Sequence, residues 1–404
     1  MLRKILLTVV GHVDHGKSSI LDAIRGTTVA EREAGLITQA IGASIIPLET
    51  INRTCKTLLQ ATGKSFTVPG LLAIDTPGHA AFSNLRKRGG ALADIAVVVV
   101  DINEGFRPQT EEAIEILRAS KTPFIIAANK MDLIPSWQPD PNTPLLASLP
   151  KQPANTQTAF ENKFYEIIGQ MYEKFQMNAE RFDRLEDYTK QIAVVPVSAK
   201  TGEGIPELLM VAMGLAQRFL EQNLQKDEKR PAKGTILEVK DEKGLGTTMD
   251  AIIYDGHIKV NDPLIIGGID GPIVTKVKAL FEPAPLAEMR EKRSKFKSVK
   301  EVHAATGVKI SAKDIQDVIG GMPFETDPDI EAAKARVQEA IEETRIDTEE
   351  EGIIIKADSI GSLEALTVLL REKEISIRKA SIGNITRKDI IDAESNLEKD
   401  PLLG

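Results

Sequence analysis

Cysteine and aromatic residues are scarce in this chain of 404 residues, which has one cysteine and 4% aromatic side chains. The single cysteine, Cys55, cannot form an internal disulfide, so the sequence predicts a protein of the reducing cytoplasm. No apolar run reaches the roughly 18–20 residues that cross a bilayer, so no membrane contact is expected. The apolar run at residues 1–10 is not followed by a small-residue cleavage site and is interpreted as a buried strand.

Positive charge is also in deficit, with 51 Lys and Arg against 59 Asp and Glu and a net charge of −8. Proteins that hold nucleic acid over a whole face are usually basic, so any contact with RNA must be local. Two basic clusters are candidates, and a solvated helix face is the alternative interpretation of each. They are Arg86, Lys87 and Arg88, and the run Arg290, Lys292, Arg293, Lys295, Lys297 and Lys300.

The first 228 residues alternate short apolar runs with amphipathic runs. The apolar runs, rich in Val and Ile, lie at residues 4–10, 71–75, 93–101, 123–129 and 192–198. Strands that are covered on both faces have this composition, so we predict a mostly parallel sheet with helices on both faces. A proline-rich stretch, 135–153, followed by a helical stretch, 158–175, is predicted to be an insertion on the rim of the sheet.

Beyond residue 228 the pattern changes, and a length of 404 residues suggests two or three domains. Residues 229–327 carry short strands separated by glycine-rich turns, which predicts an antiparallel β-barrel. Residues 328–350 predict a charged connecting helix. Residues 351–404 alternate strand and helix, so we expect an α/β domain that is incomplete at its C-terminus. The expected fold class is multidomain, α/β plus β.

Residues 11–18, Gly-His-Val-Asp-His-Gly-Lys-Ser, fit the pattern G-x-x-x-x-G-K-[ST] between a predicted strand and a predicted helix. Backbone N–H groups in such a loop converge on phosphate oxygens at the positive end of the helix. Lys17 is predicted to neutralise the β- and γ-phosphates, and Ser18 to bind Mg²⁺, which prefers oxygen ligands. The predicted nucleotide-binding residues of this loop are Asp14, His15, Gly16, Lys17, Ser18 and Ser19.

Three further segments follow predicted strands, at the edge of the sheet where ligands bind. Asp75 is predicted to hold Mg²⁺ through water, and Gly78 lets the backbone approach the γ-phosphate. Asp132, in the sequence Asn-Lys-Met-Asp, can accept two N–H bonds from guanine, a pattern that adenine lacks, and a backbone N–H in 198–200 can meet guanine O6. The predicted guanine-site residues are Asn129, Lys130, Asp132, Ser198, Ala199 and Lys200. These four segments together predict a P-loop GTPase that binds GTP and GDP with Mg²⁺.

Three assignments leave alternatives open. His79 follows the predicted magnesium aspartate by four residues, where hydrolytic GTPases place the residue that orients the attacking water, and a structural role is the alternative. The threonine that completes the Mg²⁺ shell in the GTP state is Thr27, Thr28 or Thr38, and spacing alone does not choose among them. Asp14 either faces solvent or caps a local turn, or it binds a K⁺ or Na⁺ ion beside the phosphates.

These motifs resemble those of archaeal and eukaryotic translation initiation factor 5B, the counterpart of bacterial initiation factor 2. The resemblance rests on residues 11–18, 35–43, 75–79 with 84–90, 129–132, 234–240 with 244–246, and 356–365, and it covers essentially the whole chain. It implies a ribosome-dependent GTPase that promotes joining of the large subunit during initiation, with contacts to that subunit and its ribosomal RNA. It also implies that Thr38 is the switch threonine and that His79 is catalytic.

The sequence departs from that family at its end. The family's third domain continues with further strands, and a long helix then leads to a fourth domain that contacts initiator tRNA, whereas this chain stops at Gly404. We therefore expect a C-terminally truncated member that is monomeric, with the tRNA contact confined to the full-length protein. Two alternatives remain. The chain is either a non-catalytic GTP-sensing module, which recruits a partner, or a specialised elongation factor. Such elongation factors carry two barrels after the GTPase domain, and only one is predicted here.

Overall fold

The computed structural model describes most of the chain. The described residues are 2–26, 42–75, 93–219, 230–242, 246–268, 271–286, 296–315, 318, 320–342, 352–357, 363, 366–367, 369–370, 373, 375–382, 385 and 387–397. They form two compact units. No helix in these ranges is both long enough and apolar enough to cross a membrane.

A seven-stranded sheet organises the first unit. Its strands are β1 (Ile5–Gly11), β2 (Gly42–Pro47), β3 (Gly70–Asp75), β4 (Ile95–Asp101), β5 (Phe124–Asn129), β6 (Ala179–Arg181) and β7 (Ile192–Pro196). The strand order is β2-β3-β1-β4-β5-β7-β6, and every pairing is parallel except that of β2 with β3. The predicted mostly parallel sheet is confirmed. The two edge strands, β2 and β6, were not predicted.

Helices enclose this sheet. They are α1 (Lys17–Arg25), α2 (Leu48–Thr54), α3 (Lys56–Thr62), α4 (Pro108–Ala119), α5 (Leu145–Ser148), α6 (Ala154–Phe175) and α7 (Ile205–Phe219). Every residue of β1, β3, β4 and β5 is buried, which is why these strands are continuous apolar runs. Pro108 is the first residue of α4. A backbone N–H at this position would have no partner within the helix, so proline, which lacks this group, fits there. Because both faces of the sheet are covered, polar side chains can gather only at the strand ends.

The predicted insertion at residues 135–153 contains α5 and a 3₁₀ turn, Leu149–Lys151. It leads into α6, which begins at Ala154 rather than at the predicted residue 158. The buried side chains of α6 recur every three or four residues and so form one face of the helix. They are Thr156, Phe160, Phe164, Ile167, Met171 and Phe175. The same helix contacts the edge strand β6.

A closed barrel of six antiparallel strands lies in the second unit. The strands of this region are β8 (Lys233–Glu242), β9 (Gly246–Asp255), β10 (His257–Lys259), β11 (Pro263–Gly268), β12 (Gly271–Pro283), β13 (Phe296–Val299), β14 (Glu301–His303), β15 (Thr306–Ala312) and β16 (Pro323–Glu325). The barrel order is β11-β16-β8-β9-β15-β12, and pairing of β12 with β11 closes it. β13 lies next to β12 in the strand order, and β10 pairs with β14 in a separate two-stranded sheet. The predicted barrel is confirmed.

The elements after the barrel whose bounds fall within the described residues are α8 (Ile330–Glu342), β17 (Ile353–Ala357), β18 (Ile377–Ile382) and α9 (Arg387–Leu397). Ala333 and Val337 of α8 share a buried apolar cluster with Ile265 of β11, so this helix packs on the barrel. β17 and β18 are parallel, which the predicted strand–helix–strand order requires.

Candidate functional site

The loop between β1 and α1 carries the predicted phosphate-binding residues. Gly16 has a φ of 92°, and a Cβ atom there would collide with the side-chain amide of Asn129, so only glycine fits. This turn places the N-terminus of the nine-residue helix α1 at the end of the central strand β1. Backbone N–H groups in the first turn of a helix have no intrahelical partners, which makes the loop suitable for binding an anion.

Lys17 lies in the first turn of α1, with its side chain folded back over the loop. Its Nζ donates to the carbonyl oxygens of Gly11 and His12 at 3.1 and 2.8 Å. Burial lowers the pKa of Lys17, and the carboxylates of Asp75 and Asp14 oppose that shift. The ammonium group is therefore held inside the loop, where phosphate oxygens could take the place of the two carbonyls.

Ser18 and Asp75 meet across two elements. The Ser18 hydroxyl, at the start of α1, donates to Oδ2 of Asp75 at 2.9 Å, and Asp75 ends β3 with 1% of its surface exposed. A hydroxyl beside a carboxylate is an oxygen donor set that fits Mg²⁺. Among the described residues no group of three His, Cys, Asp or Glu side chains could hold a metal alone. A magnesium ion at this position would need further ligands from phosphate oxygens, water or residues outside the described ranges.

Asn129 connects the phosphate loop, residues 11–18, to residues 198–201, which we call the guanine loop. It ends β5 and is 2% exposed. Its Nδ2 donates to the His15 carbonyl at 2.8 Å, and its Oδ1 accepts the backbone N–H of Ala199 at 3.0 Å. One side chain thus fixes the spacing between the two loops that a single nucleotide would bridge.

Lys130 is held by residues that the sequence analysis did not select. It has a φ of 64°, and its Nζ lies 2.9 Å from Oδ2 of Asp101, a carboxylate that is 3% exposed. Asn103 donates its Nδ2 both to Oδ1 of Asp101 and to the Lys130 carbonyl, each at 3.1 Å. Lys130 and Asn103 hold the pKa of Asp101 below its usual range, even though burial opposes this effect. Asp101 ends β4, so the rule that polar strand ends form the site could have found it.

Asp132 and Ser198, two predicted guanine-site residues from different segments, are hydrogen-bonded to each other. The Ser198 hydroxyl donates to Oδ1 of Asp132 at 2.6 Å, and Ser198 is fully buried. Asp132 is half-buried. This hydrogen bond fixes the orientation of the Asp132 carboxylate, an acceptor that can pair with the N–H edge of a base.

His15 turns its ring into the protein. The ring is 1% exposed, Nδ1 accepts the Asp101 backbone N–H at 3.3 Å, and Nε2 lies 3.7 Å from a Glu104 carboxylate oxygen. Burial, with a smaller contribution from His12, lowers the pKa of His15, so the neutral ring is favoured. A contact between His15 and a nucleotide would therefore involve its backbone and not its imidazole.

Asp14, Ser19 and Lys200 are exposed. Asp14 has a φ of 65°, in the left-handed region that Asp tolerates in turns. The Asp14 carboxylate partly opposes the lowering of the Lys17 pKa that burial causes. Both interpretations of Asp14, a turn residue and a cation ligand, are compatible with this placement.

Several predicted residues lie outside the described part of the chain. They are Thr27, Thr28, Thr38, Gly78 and His79, the segments 35–41 and 84–90, and the basic residues Arg86, Lys87, Arg88, Arg290, Lys292, Arg293 and Lys295. Lys297 and Lys300, the last two of the second basic cluster, are exposed.

The fold and the family models define a translational GTPase. The family model for the elongation factor Tu GTP binding domain matches residues 3–218, and the model for translation-initiation factor 2 matches residues 327–399. Curated relatives agree with both models. The chain is 54% identical to the probable translation initiation factor IF-2 of Methanopyrus kandleri and 51% identical to that of Archaeoglobus fulgidus. The chain belongs to the translation initiation factor IF-2 family.

The alignments also define how much of those proteins is present. The M. kandleri match covers 100% of this chain and 68% of the relative, so the chain spans about two thirds of the relative's length. The crystal structure of GDP-bound aIF5B from Aeropyrum pernix is 48% identical, with a TM-score of 0.81, and the match covers 100% of this chain and 68% of that one. Elongation factor SelB from Methanococcus maripaludis is 20% identical with a TM-score of 0.51 over 81% of this chain and 55% of its own, a likeness of fold alone.

Proposed function

We propose that this chain is the GTP-driven part of an initiation factor that promotes joining of ribosomal subunits, and that the ribosome stimulates its GTP hydrolysis. The observation that carries the proposal is the Asn129 bridge, which holds the phosphate loop and the guanine loop at one fixed spacing. Such a bridge allows one guanine nucleotide to occupy both loops. Family membership supplies the initiation context.

In the proposed site the phosphates of GTP or GDP lie against the N-terminus of α1. Lys17 exchanges its two carbonyl partners for the β- and γ-phosphate oxygens. Ser18 and Thr38 would hold Mg²⁺ directly and Asp75 would hold it through water. When bound, the ion would supply positive charge against the phosphates. The backbone at Gly78 approaches the γ-phosphate.

Guanine is selected at the opposite end of the site. The Asp132 carboxylate, oriented by the Ser198 hydroxyl, accepts the two N–H groups of the guanine edge. The Lys200 N–H group donates to guanine O6, because the Ala199 N–H group is bonded to Asn129. Lys130, fixed by Asp101, packs its aliphatic stem along the base.

Hydrolysis and switching are proposed to depend on two residues outside the described ranges. His79 orients the water that attacks the γ-phosphorus. Thr38 binds the metal only when the γ-phosphate is present and leaves it in the GDP state. A K⁺ or Na⁺ ion at Asp14 would add positive charge where the leaving group develops negative charge.

The proposed partners are the large ribosomal subunit and its ribosomal RNA, and the proposed location is the cytoplasm. Contact with initiator tRNA belongs to the full-length protein. We propose that the chain acts as a monomer. Its proposed functional divisions are residues 1–228 for GTP, 229–327 for the barrel, 328–350 for the connecting helix and 351–404 for the α/β domain.

Light scattering during subunit joining tests this proposal. Archaeal initiation complexes on the small subunit are mixed with large subunits and either this chain or a version that continues beyond Gly404, in GTP, GDP or a non-hydrolysable GTP analogue. We expect GTP and the analogue, but not GDP, to speed joining with the longer version. The same rate in all three nucleotides would contradict a GTP-driven role in joining.

A further inference from the structure

A buried carboxylate connects the guanine loop to the insertion at residues 135–153. Glu203 is 3% exposed. Its Oε2 accepts the Trp137 indole N–H at 3.2 Å and the Thr201 hydroxyl at 2.7 Å, and its Oε1 accepts the Asp140 backbone N–H at 3.0 Å. Two of these three donors belong to the insertion, and the third belongs to the guanine loop.

On one side, Glu203 is part of a tight turn that contains the guanine loop. Its carbonyl accepts the Ser198 N–H at 2.9 Å, and the Ser198 hydroxyl accepts the Thr201 N–H at 3.2 Å. Gly204, the next residue, has a φ of 76°, and a Cβ atom there would collide with the Pro196 carbonyl. Glu203 therefore cannot move without moving Ser198.

On the other side, the insertion is itself well braced. Gln152 accepts the Gln138 N–H at 2.8 Å and donates to the Gln138 carbonyl at 2.7 Å. The Trp137 ring lies 5.9 Å from that of Phe160 on α6, and Trp137 is 8% exposed. A second carboxylate, Glu207, accepts the Leu145 N–H at 2.7 Å. The insertion can therefore transmit a displacement to Glu203 instead of absorbing it.

We propose that Glu203 is a positioning residue through which the insertion at 135–153 determines how long a guanine nucleotide stays bound. The inference rests on the proposed contact of residues 198–200 with guanine. Trp137, Asp140 and Thr201 hold the Glu203 carboxylate, and the carboxylate holds the loop in the conformation that receives the base. Loosening the insertion shortens the lifetime of the bound nucleotide without touching the phosphate loop.

Substitutions that preserve volume test this connection. Glu203→Gln replaces one acceptor oxygen with an NH₂ group that faces donors, and Trp137→Phe removes only the indole donor while leaving a ring beside Phe160. A hydrogen bond to a charged group is worth about 10- to 100-fold in an equilibrium. We therefore expect release of a fluorescent GDP analogue, followed by direct excitation of its fluorophore, to accelerate about tenfold in Glu203→Gln and less in Trp137→Phe.

Three comparisons separate positioning from general damage. Glu166→Gln, at an exposed carboxylate of α6, should leave GDP release unchanged. Competition by magnesium pyrophosphate, which can engage the phosphate loop but carries no base, should be equal in wild type and variants. The double variant Trp137→Phe/Glu203→Gln should release GDP no faster than Glu203→Gln alone, because both changes break the same connection.

Trp137 is also a built-in reporter, because it is the only tryptophan of the chain. Its emission should change when GDP binds to the wild type, and this change should be lost in Glu203→Gln. Wild-type release rates in Trp137→Phe and Glu203→Gln, or effects that multiply in the double variant, would overturn the inference. If Glu203→Gln does not fold, Trp137→Phe alone decides the question. Failure of the wild type to bind GDP would instead overturn the proposed function.

Discussion

Removal of the Asn129 side chain is the perturbation whose effect follows most directly from the structure. Asn129→Ala leaves the His15 carbonyl without its amide donor and the Ala199 N–H without its acceptor. A buried group that loses its only partner costs about 1–3 kcal/mol. His15 is buried, whereas Ala199 is half-buried and water can reach it. We therefore expect a total loss of about 2–4 kcal/mol.

This loss divides between folding and nucleotide binding, so both must be measured. Urea unfolding with and without saturating GDP gives the first, and titration with a fluorescent GDP analogue gives the second. If the loops separate in the free variant, the entire loss appears in binding, where it amounts to about 30- to 1000-fold in Kd. Asn129→Asp should bind no better than Asn129→Ala, because it places a carboxylate oxygen against the His15 carbonyl.

Asn162→Ala is the matched control, since Asn162 is exposed on α6. It should change neither quantity by more than about 0.5 kcal/mol. If Asn129→Ala falls in the same range for both measurements, Asn129 does not hold the two loops together, and the argument for one shared nucleotide site fails.

Four other outcomes are expected. Asp132→Asn should lower GTP affinity and raise affinity for the xanthine nucleotide by powers of ten, as competition binding would show; an unchanged preference would remove Asp132 from guanine selection. Burial raises the pKa of the Cys55 thiol to about 12, so a thiol reagent at pH 8 should label the chain only after it unfolds. Labelling of one thiol per folded chain would contradict this. Burial lowers the pKa of His15 from 6.5, so the unfolded chain binds the proton more readily than the folded chain. The free energy of unfolding should therefore fall as the pH drops below 6.5. In urea titrations His15→Gln should reduce this dependence on pH, and an unchanged dependence would contradict the argument. If Asp14 binds a monovalent cation, hydrolysis should be faster in K⁺ than in a bulky organic cation, and Asp14→Ala should remove the difference, whereas equal wild-type rates would favour the turn role.

The central sheet could be predicted from the sequence because its strands are buried on both faces. Continuous Val- and Ile-rich runs have few other interpretations, and β4 and β5 differ from the predicted runs only at their first residues. The edge strand β6 has only three residues, and β2 is mixed in composition and ends at a proline, so neither periodicity nor an apolar run distinguishes them from loops. β10, β13, β14 and β16 of the second unit have three or four residues each, which is too few for periodicity to identify them individually.

The residues placed at strand ends by motif are brought together, but their supports were not foreseen. Asp101 ends a predicted strand and could have been selected on that ground, whereas nothing in the sequence around Glu203 indicates that its carboxylate is buried. Their partners Lys130 and Trp137 lie 29 and 66 residues away, so only the folded chain shows the pairing. The predicted roles of the site residues themselves stay predictions until nucleotide is bound and titrated.

GTP turnover by the purified chain, measured without ribosomes, with large subunits and with complete archaeal ribosomes, tests the central claim most directly. Turnover should be slow alone and should rise with ribosome concentration, and His79→Ala should lose that rise while keeping its affinity for GTP. Normal GTP binding with turnover that ribosomes do not change would contradict the account, and would identify the chain as a GTP-sensing module that does not hydrolyse its nucleotide on the ribosome.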